Sequence, residues 1–291
     1  MARTSRGKHG RKQSFKELVS LWTRLSKEHA LFMYAGVIAF EALIALVALA
    51  LLGLAVLGEI GRTDVWDQQI GPQIAPKVLP AVYAGLDATV QKIFHSSSAG
   101  LIAFASVLTI WQMSGVVRVC MAALARIYGD KDDRSWKIRS LLSIGIGFVL
   151  TLALVGAVLL ATAAKSAAHG SWGVPFAIVR WLLTIGLIAA AFGVLVRFAP
   201  PKPRTTRWAS GGATVVVIAW VAQSLLFAVY LRTFADYKTS VGALLGIYFV
   251  TTYLYVAAAI LLIGMELDEQ LRKDVQGKQE RGIVEIVRDV I

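Results

Sequence analysis

Six long apolar runs, each bounded by short charged stretches, set the pattern of this chain. They cover roughly residues 31–58, 99–125, 141–164, 174–198, 211–230 and 241–265. A helix needs about 20 consecutive apolar residues to cross the hydrocarbon layer, and every run reaches that length. The last two, GGATVVVIAWVAQSLLFAVY and VGALLGIYFVTTYLYVAAAILLIGM, are joined by the turn LRTFADYKTS and form an antiparallel hairpin. The expected fold is an all-α integral membrane protein with six transmembrane helices. Residues 59–98 separate the first two runs and are broken by Pro72, Pro76 and Pro80. Beyond them Val82, Leu86, Val90, Ile93 and Phe94 share one face, which predicts an outer-loop helix packed on the bundle or lying at the interface. Before the first run, Phe15, Leu18, Val19, Trp22 and Leu25 recur at helical spacing among basic residues. That stretch suits an amphipathic helix on an anionic membrane surface, or equally one packed under the bundle.

Composition agrees with the pattern. Hydrophobic residues make up 57% of the chain and charged ones 16%, and the mean hydropathy is +0.65. A soluble domain is about 25% charged. The formal charge of +12 invites a nucleic-acid reading, but the distribution of that charge argues for a membrane. Of 30 Lys and Arg, 22 fall in the N-terminal segment, the loops near 126–139 and 197–207, and the tail. With those segments inside, six spans and cytoplasmic N and C termini satisfy the positive-inside rule. The division is then a cytoplasmic basic and amphipathic segment over 1–30, a six-span membrane domain over 31–267, and a charged tail over 268–291. The tail carries a late apolar face at Ile283, Ile286, Val287 and Val290. Cys120 is the sole cysteine, so no intrachain disulfide can form. No cleavable signal peptide is expected, because the first apolar run is too long for one.

Polar groups inside the spans are the candidates for chemistry, since an intramembrane charge needs a partner or a wet cavity. Glu41 lies ten residues beyond Leu31, about 15 Å deep at 1.5 Å per residue. The second run brings Gln112, Ser114 and Arg118 back to similar depth. These four are the substrate or coupling candidates. The same set reads alternatively as an interhelical clamp that fixes packing. Gln223 in the fifth run is expected to tie helices together. Gly242 and Gly246 make a small-residue face for close packing, and Glu266 is expected to serve the inner surface by pairing with Arg197, Arg204 or Arg207. Tyr230 and Tyr237 fit an interfacial belt, while Tyr248, Tyr253 and Tyr255 are expected inside.

Hydrolytic chemistry finds little support. His9, His29, His95 and His169 lie in four separate segments, and no zinc-protease, P-loop, nucleophile-elbow or dinucleotide motif is present. No enzyme activity, catalytic residue, metal or cofactor is expected.

RFAPPKPRTTRWASGGA followed by FAVYLRTFADYKTSVGALLGIYFVTTYLYVAAAILLIGMELDEQL occupies the last third of the chain. With Pro200, Gly212, Ala213, Phe227, Tyr230, Tyr237, Gly242, Gly264, Glu266 and Leu267 in register, it resembles the end of the YihY/BrkB family of bacterial inner-membrane proteins. Upstream, AGVIAFEALIAL and WQMSGVVRVCMAALARIYG are similar to the family's first and second spans, with Ser114, Leu124, Ile127 and Tyr128 matching. Glu41 departs from the tyrosine or glutamine common there. The resemblance implies six helices in the cytoplasmic (inner) membrane and no defined activity. Members have carried a ribonuclease BN label, have been linked to serum resistance and have been described as transporters.

Two functions of different class follow, with a third ranked below them. One is a transporter or translocase of a solute or envelope lipid component, with its polar centre between the first two spans. The other is a non-transporting membrane scaffold for envelope assembly or serum resistance. A membrane-bound ribonuclease ranks last. Expected partners are the lipid bilayer, anionic lipids at the cytoplasmic face, and a second copy of the chain or an envelope protein, with no nucleic acid.

Overall fold

In lipid every backbone N–H and C=O must find its partner within the segment, so apolar runs of this length become helices. The computed structural model describes residues 26, 28–96, 99–129, 132–163, 173–201, 211–233 and 240–275, and no β-strand occurs among them. The helices are α1 (Leu31–Glu59), α2 (Pro80–His95), α3 (Ala99–Tyr128), α4 (Trp136–Ala163), α5 (Gly173–Phe198), α6 (Gly211–Thr233) and α7 (Ser240–Val275). Five of them, α1, α3, α4, α5 and α7, hold stretches long and apolar enough to cross a membrane. The remaining hairpin arm, α6, has 23 residues, and its described apolar part, Thr214–Tyr230, is shorter than the other five. The expected N-terminal amphipathic helix, the tip of the last hairpin and the apolar face of the tail lie outside the described residues.

α1 is flanked by α3 and α7; α3 leans on α4, α4 on α5, and α6 lies along α7. The row curls until its ends meet, where the rings of Phe192 on α5 and Trp220 on α6 pack edge to face with centroids 5.2 Å apart. Small residues permit this closeness. α1 buries Ala35, Ala39, Ala45, Ala48 and Ala55, and lipid-embedded helices associate through such close packing rather than through a hydrophobic drive. A close backbone contact joins α3 and α4. A Cβ on Gly147 would stand 2.9 Å from the backbone nitrogen of Ser114, so the two backbones touch with no side chain between them.

Outward, large apolar side chains such as Phe40, Val47, Phe104, Val107, Leu152 and Leu226 stand exposed. A soluble monomer rarely presents so much apolar surface in one body; hydrocarbon satisfies it. Towards the end where α3 and α5 finish, Cys120 and Leu124 of α3, Leu195 and Val196 of α5, and Leu262 and Met265 of α7 border a wholly apolar crevice.

Two ends are distinct. At one, the guanidinium of Arg126 donates to the carbonyl of Glu28 through Nε and Nη2, both at 3.1 Å. Arg134 donates to the carbonyls of Phe198, Pro200 and Pro201. The start of α1, the α3–α4 connection and the end of α5 therefore share that end, and they carry much of the basic charge. At the other, a π-helical turn (Val65–Ile70) runs into a single α-turn (Gly71–Ile74) and docks α2 on the end of α1. Trp66 donates to Asp87 at 2.7 Å, and Gln91 to Asp67 at 2.9 Å. Of the apolar face expected on α2, Val90 and Phe94 are buried against Leu57, Val65 and Trp66, whereas Val82 and Leu86 remain exposed. The helix is thus seated by its last two turns. Beside it, the Arg62 guanidinium hydrogen-bonds Asp64 and holds that carboxyl below its ordinary range.

α1 begins abruptly. Ala30 has φ 51° and ψ 39°, the left-handed region that costs a residue with a Cβ roughly 1–2 kcal/mol.

Candidate functional site

The charges of the first two spanning helices converge where one helix lacks a side chain. Gly115 faces α1, and the Oε2 of Glu41 lies 2.6 Å from the position a Cβ on Gly115 would take. Arg118 Nη2 lies 3.7 Å from the same point. A carboxylate and a guanidinium thus share the space above one glycine. They stop short of an ion pair, and Glu41 makes no hydrogen bond to another described residue. Both side chains are half-buried.

Arg118 is aimed by its neighbours. Its Nη1 donates to Ser114 Oγ at 2.5 Å, one turn earlier on α3. Ser114 and Ser143 are fully buried, and their hydroxyls are 3.0 Å apart. Ser143 Oγ donates in turn to the carbonyl of Ser140 at 2.8 Å. Because Ser143 spends its one proton there, Ser114 is the donor between the two serines. The order of donation, from Arg118 through Ser114 and Ser143 to a carbonyl of α4, is therefore fixed. The guanidinium carbon also sits 5.9 Å from the centroid of the Trp111 ring, within cation–π range. Close contact of α3 and α4 at Gly147 is what lets the two serines reach each other.

Of the sequence candidates, Glu41, Ser114 and Arg118 come together. Gln112 does not join them: it is half-buried and makes no hydrogen bond to another described residue. Gly115, Ser143 and Trp111 were not singled out by the sequence, although Gly115 stands three residues before Arg118, on the helix face they share.

At the basic end a second polar cluster forms. Glu266 and Glu269 of α7 are both buried, at 0% and 2% exposure. Glu266 lies 2.6 Å from His29 Nδ1 through Oε2 and accepts from Gln270 through Oε1, also at 2.6 Å. Glu269 accepts from Arg272 at 2.8 and 2.6 Å. Where a loop arginine is expected for Glu266, the described partners are His29 and Gln270, because α1 packs along α7 and delivers its entry residues there. Arg197 instead lies near the Phe198 ring, and Arg204 and Arg207 are outside the described residues.

The remaining candidates lie in the hairpin. Gln223 Nε2 donates to the carbonyl of Tyr253 at 2.7 Å, joining α6 to α7. Gly246 is half-buried on α7, and the surroundings of Gly242 are outside the described residues. Tyr253 meets Ser224 and the Phe227 ring, and Tyr255 packs on the core. Tyr248, expected inside, is 63% exposed; it sits on the outer side of α7, where its ring packs edge to face with Phe249. Among the described residues no three His, Cys, Asp or Glu gather as a metal site would require.

Comparison with known proteins adds a family. The profile of a family described as "Virulence factor BrkB" matches residues 21–283. The chain is also similar to the "Putative ribonuclease-like protein YfkH" of Bacillus subtilis (strain 168), with 24% identity over 197 residues, covering 65% of this chain and 72% of that protein. No solved structure matches it.

Proposed function

Since the chain belongs to the BrkB family and its helices are built for a membrane, we propose that it is a multi-pass transporter or translocase moving a solute or an envelope lipid component across the bacterial cytoplasmic membrane. In this reading α6 is the sixth span, both termini and the basic end face the cytoplasm, and α2 lies outside. The observation that carries it is the meeting of Glu41 and Arg118 above Gly115 without an ion pair. Opposite charges in a low-dielectric setting attract strongly. A carboxylate without a hydrogen-bond partner among the described residues, set amid hydrocarbon, is costly unless something else is there to meet it. A site that keeps the two charges apart suits cargo better than a finished clamp. The protein is read as non-enzymatic, and any energy for uphill movement comes from an ion gradient or a partner.

One feature favours the scaffold as a second reading. The Arg118–Ser114–Ser143 chain is the kind of buried polar link that fixes packing. The purified protein in liposomes separates the two. Acyl-chain-labelled lipid in the inner leaflet should reach an external quencher faster than in empty liposomes, and solutes should enter faster in uptake assays. Neither effect, from correctly folded protein, would leave the scaffold.

A further inference from the structure

The Glu41–Arg118 site carries a statement about its cargo, which rests on the translocase reading above. Arg118 is held in place by Ser114 on one amino group and by the Trp111 ring, while Nη2 is turned toward Glu41. The carboxylate is admitted by the bare backbone of Gly115. A lone anion arriving here would meet Arg118 but be repelled by Glu41; a lone cation would suffer the reverse. A neutral molecule would leave both charges unmet, which is expensive away from water. A molecule with a positive and a negative group a few ångströms apart satisfies both.

We propose that the pair Glu41 and Arg118 above Gly115 binds a zwitterion, its ammonium on the Glu41 carboxylate and its phosphate or carboxylate on the Arg118 guanidinium. The position of the site also suggests the route. Trp111 and Phe40, which flank it on α3 and α1, are 62% and 59% exposed on the outer wall of the bundle. The crevice between α3, α5 and α7, by contrast, is lined by apolar side chains. A lipid cargo would therefore enter sideways, from the bilayer. The same chemistry is offered by an aminophospholipid headgroup and by a free amino acid.

The test compares headgroups on one set of liposomes. Acyl-labelled phosphatidylethanolamine, which keeps its ammonium, and acyl-labelled phosphatidylglycerol, which has none, are followed by external dithionite, and uptake of radiolabelled alanine is measured alongside. The expected result is faster movement of phosphatidylethanolamine than of phosphatidylglycerol, by about tenfold as loss of one charged hydrogen bond implies. Glu41→Gln should erase that preference, while Arg118→Gln should slow both lipids. Arg118→Lys, with the charge kept, should retain the preference, which guards against a misfolded variant. Alanine uptake that is lost in Glu41→Gln, without lipid movement, would support the same site with a free solute as its source. Equal rates for the two lipids, unchanged by Glu41→Gln and without alanine uptake, would overturn the zwitterion and leave translocation standing. No lipid movement and no alanine uptake, from protein that elutes as a single folded species, would overturn both.

Discussion

His29 and Glu266, 237 positions apart in the chain, meet at 2.6 Å between Nδ1 and Oε2. The contact joins the entry of the first spanning helix to the exit of the last, and the carboxylate side of it is fully buried. Removing one partner from a buried charged contact costs more than the contact itself is worth, because the other is left uncompensated.

His29→Ala should therefore lower stability by about 1–3 kcal/mol, read as a fall in melting temperature in detergent. Gln270 still donates to Glu266, so the loss is partial. A His29→Ala protein that melts with the wild type would mean that the contact contributes nothing.

The turn next to it can be improved. Ala30 is held at φ 51°, where glycine has no Cβ to clash. Ala30→Gly should raise the melting temperature, with a gain of about 1 kcal/mol. A loss of stability would mean that the left-handed turn is not held in solution.

Two glycines on α4 give opposite outcomes. Gly147→Ala drives a Cβ to within 2.9 Å of the Ser114 backbone, which cannot swing away as a side chain can. It should separate α3 from α4 and cost about 1–3 kcal/mol, as overpacking does. At Gly145 a Cβ meets nothing within 4 Å, and Gly145→Ala should be neutral or stabilising by up to about 1 kcal/mol. Equal melting temperatures for the two variants would contradict this packing.

Gly115→Ala tests the site without touching its charges. The atom in its way is Glu41 Oε2 at 2.6 Å, the mobile end of a side chain, so the fold should survive while the carboxylate is displaced. Lipid or solute movement should drop about tenfold, as loss of one charged contact implies, with the melting temperature within about 1 °C of wild type. Unimpaired transport would remove the Glu41–Gly115 contact from the mechanism.

Orientation can be read with single cysteines in a Cys120→Ala background. Lys77 precedes α2 and Lys137 lies at the start of α4, both exposed at opposite ends of the bundle. Lys77→Cys should react with a membrane-impermeant maleimide in intact cells, and Lys137→Cys only after permeabilisation. The reverse order would invert the protein in the membrane.

Much of the scaffold can be read from residues alone because hydrocarbon tolerates few alternatives. The start of α1 at Leu31, the start of α3 at Ala99 and the end of α5 at Phe198 fall where the apolar runs begin or stop. Glu41 and Arg118 stand out for the same reason, as charges in apolar surroundings. What escapes the sequence is which face meets which. Gly115 and Gly147 look like any other glycine in a span until two backbones are seen to need them. Ser143, near the start of α4, becomes informative only beside Ser114. The His29 contact depends on α1 lying along α7, a pairing of the first and last helices that no local pattern encodes. Glu266 is legible as an inner-surface acid in want of a partner; its burial and the identity of that partner are not.

The apolar crevice among Cys120, Leu124, Leu195 and Met265 bears on the energy balance of the cell that carries this protein. A file of water through the bundle would conduct protons and drain the membrane potential, at about 2.3 kcal/mol for each charge crossing 100 mV. Greasy walls there offer such a file nothing to bond to. No proton current should therefore run through that crevice, and abundant expression should not collapse the proton-motive force by that route.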